Sequence, residues 1–216
     1  MKLYKYMALH PFAHEADILL GRRFHTAQFF DLNDPMEGLF SYPPQTKDEY
    51  LERLRIGKET LRICAFSKDW RNPVLWAHYA DGFRGVCIEV EVTKPYPQGI
   101  QFQPVEYSYE RWHFNDNMAP GIEVLPNFFL TSKARQWRME QEVRALAAAE
   151  YLPLGSHLVI TRVLLGLRTD AGLRQVIGQM TPPAVSVWTT KIGDTKNVIE
   201  IDARATPPAQ PYNMEA

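Results

Sequence analysis

The chain has 216 residues, of which 45% are hydrophobic and 23% charged, which fits an ordinary globular protein and excludes disordered, collagen-like and coiled-coil classes. Lysine and arginine number 24 against 25 aspartates and glutamates, for a formal net charge of -1. This balance lacks the basic excess of proteins that hold nucleic acid mainly through its phosphates, so the composition gives no strong nucleic-acid signal, although it leaves a local basic groove open.

The start of the chain and its cysteines indicate a cytoplasmic protein. No apolar segment follows Lys2 as in a secretion signal, and no apolar run approaches the roughly 18 residues of a membrane helix, so we expect no membrane partner. Cys64 and Cys87 each lie in an apolar stretch, which favours buried thiols in a reducing compartment.

Domain organisation follows from composition along the chain. No repeat or low-complexity tract divides residues 1–202, which predicts a single domain. Residues 203–216 are rich in proline and lack apolar periodicity, which predicts a C-terminal tail.

The predicted elements mix strands and helices. Apolar alternation or short β-branched runs predict strands over 3–6, 61–67, 85–92, 101–109, 158–165, 185–189 and 198–201. Helical spacing predicts helices from about Pro11 to Gly21, from a Thr46 capping box to Gly57, around Trp76, and from an N-cap at Thr169 or Asp170. Strict strand–helix alternation and a glycine fingerprint are both missing, so we predict an α+β fold with mostly antiparallel sheets and three or four helices.

Three polar segments lie in the first half of the chain. Asn33, Asp34 and Glu37 belong to an Asn-Asp-Pro turn, for which a surface turn is the simplest interpretation. Ser67 ends a buried strand, where its hydroxyl faces either a ligand or the next turn. His78 and Tyr79 follow in an aromatic helix, where a histidine is more often structural than ligand-binding.

A fourth polar segment runs from Lys133 to Arg144 and allows two interpretations. As a helix, Glu140 and Arg144 would pair four residues apart on a solvated face. As a strand, Glu140, Glu142 and Arg144 would project from one side, and such charges are costly to bury, so we would expect an open cleft. The local pattern does not decide between them.

Taken together, these segments resemble the bacterial family called "domain of unknown function 2971". The resemblance covers about residues 3 to 201. It rests on Leu-Tyr-Lys-Tyr, Leu-Asn-Asp-Pro-Met-Glu, Ile-Cys-Ala-Phe-Ser, Leu-Trp-Ala-His-Tyr-Ala, Gly-Val-Cys-Ile-Glu and Val-Leu-Leu-Gly, with Lys133, Trp137, Glu140, Glu142 and Arg144.

More loosely, the order of motifs is similar to ADP-ribosyltransferase-like domains, which bind NAD between two small antiparallel sheets. That resemblance implies NAD as a nucleotide substrate, an unknown macromolecular acceptor and no metal. It implies catalysis by Glu142, with Glu140 as a second candidate. The residues that it implies for NAD binding are Lys5, Tyr6, Asn33, Asp34, Ser67, His78, Tyr79 and Arg144.

In that mapping, Lys5 stands beside Tyr6 where the family has a histidine or arginine. This departure favours the non-catalytic alternative given below. The resemblance as a whole implies NAD cleavage with ADP-ribose transfer to a macromolecule or water, as in a defence or toxin effector. A binding module of the same fold without catalysis is the first alternative. A metal-dependent nuclease using Asp34, Glu37, His78, Glu140 and Glu142 is the second.

Overall fold

The computed structural model describes residues 1–10 and 17–203. Its strands are β1 (Lys2–Met7), β2 (Arg23–His25), β3 (Ala27–Gln28), β4 (Phe40–Ser41), β5 (Arg62–Ser67), β6 (Val86–Val92), β7 (Gln101–Pro104), β8 (Glu106–Ser108), β9 (Trp112–His113), β10 (Ser132–Ala134), β11 (Glu142–Ala147), β12 (Tyr151–Pro153), β13 (Leu158–Leu165), β14 (Ser186–Ile192) and β15 (Ile199–Ile201). Its α-helices are α1 (Asp48–Thr60), α2 (Pro73–Tyr79), α3 (Leu125–Leu130) and α4 (Ala171–Met180), and short 3-10 helices cover Phe29–Asp31, Asp116–Gly121 and Arg135–Glu140.

These elements form an α+β fold in which most strand pairs are antiparallel, as the sequence predicts. Parallel pairs are β13 with β14, β8 with β10, and β4 with β9. None of the described helices is long and apolar enough to cross a membrane. Cys64 and Cys87 are both buried, as expected.

The chain divides into two compact units. Unit 1 takes the described residues of Met1–His25, Phe66–Tyr96 and Pro153–Ala216, and unit 2 takes Thr26–Ala65 and Pro97–Leu152. Strands β5 and β12 each contain a boundary between the two units.

Unit 1 is built on a sheet with the order β15-β14-β13-β6-β1. Tyr4 of β1 lies opposite Glu89 of β6, and Glu89 lies opposite Arg162 of β13. Tyr4 also pairs with Ser67 at the end of β5. Because directly opposed residues share one face of a sheet, these four side chains form a polar row across the strands.

Helix α2 packs its aromatic side against this unit. Its N-cap Asn72 accepts a hydrogen bond from the backbone N–H of Val74, and a proline follows in the first turn. Trp76 is fully buried and donates its indole N–H to the Trp70 carbonyl at 2.7 Å. A core cluster surrounds it, made of Tyr4, Tyr6, Leu75, Ala80, Cys87, Leu164 and Ile199.

Unit 2 contains β5 and β11 as sheet neighbours, with β7 antiparallel to β11 and β3 antiparallel to β5. Helices α1 and α3 pack together over a core cluster that includes Leu54 and Phe129. The packing is close because α1 has a glycine at the contact. A Cβ on Gly57 would lie 2.5 Å from Pro126 Cγ, which accounts for a residue that is otherwise unfavourable inside a helix.

Most long predicted elements are confirmed, with corrected ends. The second predicted helix does not stop at Gly57 but continues to Thr60, and its N-cap is Lys47 with no side-chain cap bond. The Thr46 capping box is therefore wrong, and the Thr46 hydroxyl is buried without a hydrogen-bond partner among the described residues. The cap of α4 is confirmed, since Asp170 accepts from the N–H groups of Gly172 and Leu173.

Two predictions lie wholly or partly outside the described residues. The helix expected from Pro11 to Gly21 is described only from Asp17 onward, where Asp17, Ile18 and Leu19 are helical and Leu20 and Gly21 are not. The expected tail over 203–216 lies outside the described residues beyond Ala203.

Candidate functional site

Five charged side chains come together in unit 2, and we call them the five-charge cluster: Glu37, Lys133, Glu140, Glu142 and Arg144. They come from the turn before β4, from β10, from the 3-10 helix that ends at Glu140, and from β11. Each side chain is at most 6% exposed. Three carboxylates and two cations are thus enclosed together.

Arg144 holds two of the carboxylates. Its Nε donates to Glu142 Oε1 at 2.7 Å and its Nη2 to Glu142 Oε2 at 3.1 Å, a two-point contact within one strand. The same Nη2 also donates to Glu37 Oε2, while Nη1 donates to the Leu130 carbonyl at 2.6 Å. Arg144 therefore holds the Glu142 carboxylate in one orientation and favours its ionised form.

Lys133 contacts all three carboxylates of the cluster. Its Nζ lies 2.6 Å from Glu140 Oε2, 3.2 Å from Glu37 Oε1 and 3.4 Å from Glu142 Oε2. The ammonium also lies 5.0 Å from the centre of the Trp137 ring, a cation–π distance.

The cluster shifts the pKa values of two of its carboxyl groups in opposite directions. Burial alone would raise the pKa of Glu142, but the charges of Arg144 and Lys133 outweigh burial and hold this pKa below its usual value. Burial raises the pKa of Glu37, and the same two cations do not offset it. Glu142 is therefore ionised at neutral pH, whereas Glu37 resists ionisation.

Backbone geometry around Glu142 is also specific. Gln141, between the 3-10 helix and β11, has φ of 46°, a left-handed conformation that is uncommon for a residue with a side chain. The backbone N–H of Glu142 then donates to the Tyr107 hydroxyl at 2.8 Å. Burial raises the pKa of Tyr107 to about 12, so this hydroxyl keeps its proton at neutral pH.

The structure decides between the two interpretations of residues 133–144. Glu142 and Arg144 lie in a strand, so the helix interpretation is wrong for them, while Glu140 ends a 3-10 helix. The expected open cleft is also wrong for these side chains. They are buried, and the cost of burying them is offset by mutual pairing rather than by water.

The turn at 33–37 also differs from the surface turn that its sequence suggests. Asn33 is exposed, but Asp34 and Glu37 are both buried. Asp34 caps the turn, because its Oδ1 accepts from the Met36 N–H at 2.9 Å. Its Oδ2 is buried with no hydrogen-bond partner among the described residues. The turn thus places the Glu37 side chain in contact with Lys133 and Arg144.

The other predicted site residues lie in unit 1. Tyr6 is buried, donates its hydroxyl to the Asp69 carbonyl at 2.8 Å and packs edge-on against Trp76. Ser67 also donates to the Asp69 carbonyl, at 3.1 Å. Lys5 is half-buried on β1.

On α2, His78 is exposed and Tyr79 half-buried, with ring centres 6.2 Å apart. The structure thus brings together Glu140, Glu142 and Arg144 within unit 2, and His78 with Tyr79 within unit 1. Their assigned roles, catalysis for Glu140 and Glu142 and NAD binding for the others, stay predictions.

Unit 1 has a charged group that sequence reasoning missed, which we call the Glu89 cluster: Lys2, Glu89 and Arg162. Glu89 is 2% exposed and accepts from Lys2 at 3.0 Å, from Thr161 at 2.8 Å and from Arg162 Nη2. Alternation along β6 places Glu89 on the opposite face of the strand from the valines. The sequence signal for a charged partner was Arg162, an arginine within the otherwise apolar run of β13. Arg162 Nε has no hydrogen-bond partner in the described part of the chain.

A metal site has little support from this geometry. Within the described residues, no group of three or more histidine, cysteine, aspartate or glutamate side chains is placed to hold a metal ion. The carboxylates of Glu37, Glu140 and Glu142 face Lys133 and Arg144 instead. Because ammonium and guanidinium groups occupy the oxygens that a metal would need, we do not carry the nuclease hypothesis forward.

Among models of known protein families, curated proteins and solved structures, none matches the chain.

Proposed function

We propose that the chain binds NAD, cleaves its nicotinamide–ribose bond and passes ADP-ribose to a macromolecule or to water. One observation carries the proposal: Glu142 is a buried carboxylate that Arg144 and Lys133 keep ionised and fixed in direction. Breaking this bond generates positive charge on the sugar, and a preorganised carboxylate is the group that stabilises such charge best.

The reaction balances without a redox partner. The C–N bond breaks with its electron pair leaving on nicotinamide, and the ribose becomes oxocarbenium-like. An acceptor oxygen or nitrogen then forms the new bond and loses a proton. Glu142 stabilises the positive sugar and accepts a hydrogen bond from a ribose hydroxyl, as carboxylates do in glycoside hydrolysis.

The contacts of Glu142 define its role more closely. A carboxylate accepts about four hydrogen bonds, and Arg144 and Lys133 supply three of them. A ribose hydroxyl would supply the fourth, on Oε1. In this proposal Arg144 positions Glu142 rather than touching phosphate or ribose, because the guanidinium is 1% exposed and already bonded to Glu37, Glu142 and Leu130.

The test measures free nicotinamide after incubation of the purified protein with NAD and candidate acceptors. The Glu142→Gln variant keeps the shape and removes the charge, so we expect a loss of about 100-fold or more. Glu89→Gln is the matched control, because it also neutralises a buried glutamate bonded to cations, and it should release nicotinamide like the wild type. Equal release by all three proteins, or no release above blank, would refute the proposal.

A binding module without catalysis is the second candidate, and one observation favours it. Glu142 is only 6% exposed and its oxygens already have strong partners, which is the arrangement of a structural ion pair. Thermal unfolding with NAD separates the candidates, since a ligand at about 100 times its dissociation constant stabilises by about 2.7 kcal/mol with or without turnover. Stabilisation without nicotinamide release would select the binding module.

A further inference from the structure

The two cations of the five-charge cluster are fully engaged within it. Lys133 and Arg144 are at most 6% exposed. Lys133 contacts three carboxylates, and Arg144 is bonded to Glu37, Glu142 and the Leu130 carbonyl. NAD carries a negative diphosphate next to its ribose. If Glu142 receives the ribose, the cations that face the diphosphate have to lie outside the cluster but close to it.

The 3-10 helix Arg135–Glu140 borders the cluster and contributes Glu140 to it. Such a helix has three residues per turn, so side chains three positions apart lie one above the other. Trp137 and Glu140 form one of these rows, and both contact Lys133. Glu140 Oε2 lies 2.6 Å from the Lys133 Nζ, and the centre of the Trp137 ring lies 5.0 Å from it. This row of the helix therefore faces the cluster.

A different row of the same helix faces solvent. It contains Arg135 and Arg138, which are also three positions apart and are both exposed. At a rise of about 2 Å per residue, the two residues are about 6 Å apart along the helix axis. Arginine side chains are long enough to converge from that spacing on one diphosphate. We call these two residues the arginine pair.

The arginine pair is available to an anionic ligand. Among the described residues of unit 2, carboxylates pair with other arginines but with neither Arg135 nor Arg138. The Arg135 Cζ lies 4.9 Å from the centre of the exposed Tyr109 ring. This contact uses the face of the guanidinium and leaves its N–H groups to oxygen ligands. Guanidinium groups bind phosphate through two parallel hydrogen bonds, so the chemistry of the pair suits a diphosphate.

We propose that the arginine pair is a diphosphate-binding subsite, and that it makes the chain select NAD over nucleosides that lack phosphate. This inference rests on the proposed function, which supplies the identity of the ligand. Trp137 connects the two parts of the site. It stands between the two arginines in the chain and contacts Lys133, whose Nζ lies 3.4 Å from Glu142 Oε2.

The first experiment measures binding by calorimetry, with ADP-ribose as the probe because it carries the diphosphate and has no nicotinamide to release. Arg135→Met/Arg138→Met changes two exposed residues, so the fold should be kept, and binding should weaken about tenfold or more. Arg53→Met/Arg55→Met is the matched control. It removes the same charge from exposed positions of α1, and it should bind like the wild type.

The control separates a local contact from the effect of net charge on anion binding. Equal binding of ADP-ribose by the two double variants would overturn the proposal. A wild type that does not bind ADP-ribose would overturn it as well.

The second experiment compares nicotinamide release from NAD and from nicotinamide riboside, which has the same C–N bond but no phosphate. The wild type should have the higher kcat/KM for NAD, and Arg135→Met/Arg138→Met should reduce this preference about tenfold or more. Equal kcat/KM for both substrates in the wild type would overturn the subsite and leave the proposed cleavage standing. Binding of ADP-ribose that depends on the arginine pair, without any nicotinamide release, would refute the cleavage and support the subsite.

Discussion

The Glu89 cluster and the five-charge cluster bury charge in opposite ways. In unit 1 one carboxylate faces two cations, and both cations reach solvent, since the Lys2 side chain is 58% exposed and that of Arg162 is 21% exposed. In unit 2 three carboxylates face two cations, and every side chain is covered. Surplus positive charge on long, flexible side chains is solvated by water. Charge in the enclosed group of unit 2 has no such access to water and depends on the contacts within the cluster.

The two clusters also differ in how the fold assembles them. Glu89 meets Arg162 directly across neighbouring strands, so sheet register alone creates the pair. Glu142 meets Arg144 two residues along one strand, and the remaining partners come from a turn, from β10 and from a 3-10 helix. The five-charge cluster therefore links parts of unit 2 that are distant in sequence. A substitution in it should destabilise the fold more than a substitution in the Glu89 cluster.

The largest effect is expected from Arg144→Met. The change leaves Glu37 and Glu142 without their shared guanidinium in a buried site, which should lower the free energy of unfolding by about 3–5 kcal/mol. Urea unfolding at pH 7 measures it. Arg55→Met is the matched control, because Arg55 pairs with Glu52 and Glu59 on an exposed face of α1 and should cost nothing measurable. Equal losses of unfolding free energy in the two variants would show that burial does not change what an ion pair contributes to stability.

A smaller loss is expected from Glu89→Gln in unit 1. The variant deprives Arg162 and Lys2 of their carboxylate, but both cations can turn toward water. We expect a decrease of about 1–3 kcal/mol in the free energy of unfolding, below that of Arg144→Met. A loss as large as that of Arg144→Met would contradict the role given to solvent in unit 1.

Acid should weaken both clusters. Burial alone would raise the pKa of Glu89, but hydrogen bonds from Arg162, Lys2 and Thr161 lower it, and the pKa of Glu142 is also lowered. Groups with a lowered folded pKa stabilise the fold above the unfolded value of about 4.3 and lose that contribution as pH falls through the folded pKa. Unfolding constants measured from pH 5 to pH 3 should therefore rise, and less steeply in Glu142→Gln. Equal slopes would show that Glu142 is not held ionised.

The smallest effect is expected from Lys2→Met. Its ammonium pairs with Glu89 from a largely exposed side chain, and Arg162 and Thr161 remain on the carboxylate. The loss should be below about 1 kcal/mol, and it should shrink further in high salt. A loss above that of Glu89→Gln would show that Lys2 is the main partner.

Much of the fold could be predicted because its longer elements have clear periods. Strand β13 and helix α4 appear at their predicted positions, and Asp170 caps α4 as expected. The two- and three-residue strands β3, β4, β9 and β10 are too short for any period to be detected. Their positions are determined by the strands with which they pair, which lie elsewhere in the chain.

The candidate site was predicted only in part. Glu140, Glu142 and Arg144 stood out because their charges are close in sequence. Glu37 is 107 residues from Arg144, and no local pattern indicates that contact. The burial of Asp34 and Glu37 could not be predicted from the sequence either, because turn-forming residues are usually exposed and only tertiary packing encloses these two.

The most direct test is a titration of the glutamate side-chain carboxyl carbons by nuclear magnetic resonance, with Glu37 and Glu142 assigned by their Gln variants. The account predicts that these two neighbours titrate on opposite sides of the ordinary glutamate pKa of about 4.3, Glu142 below it and Glu37 above it. If both titrate near the ordinary value, the five-charge cluster does not hold the Glu142 carboxylate ionised for catalysis, and the account is contradicted.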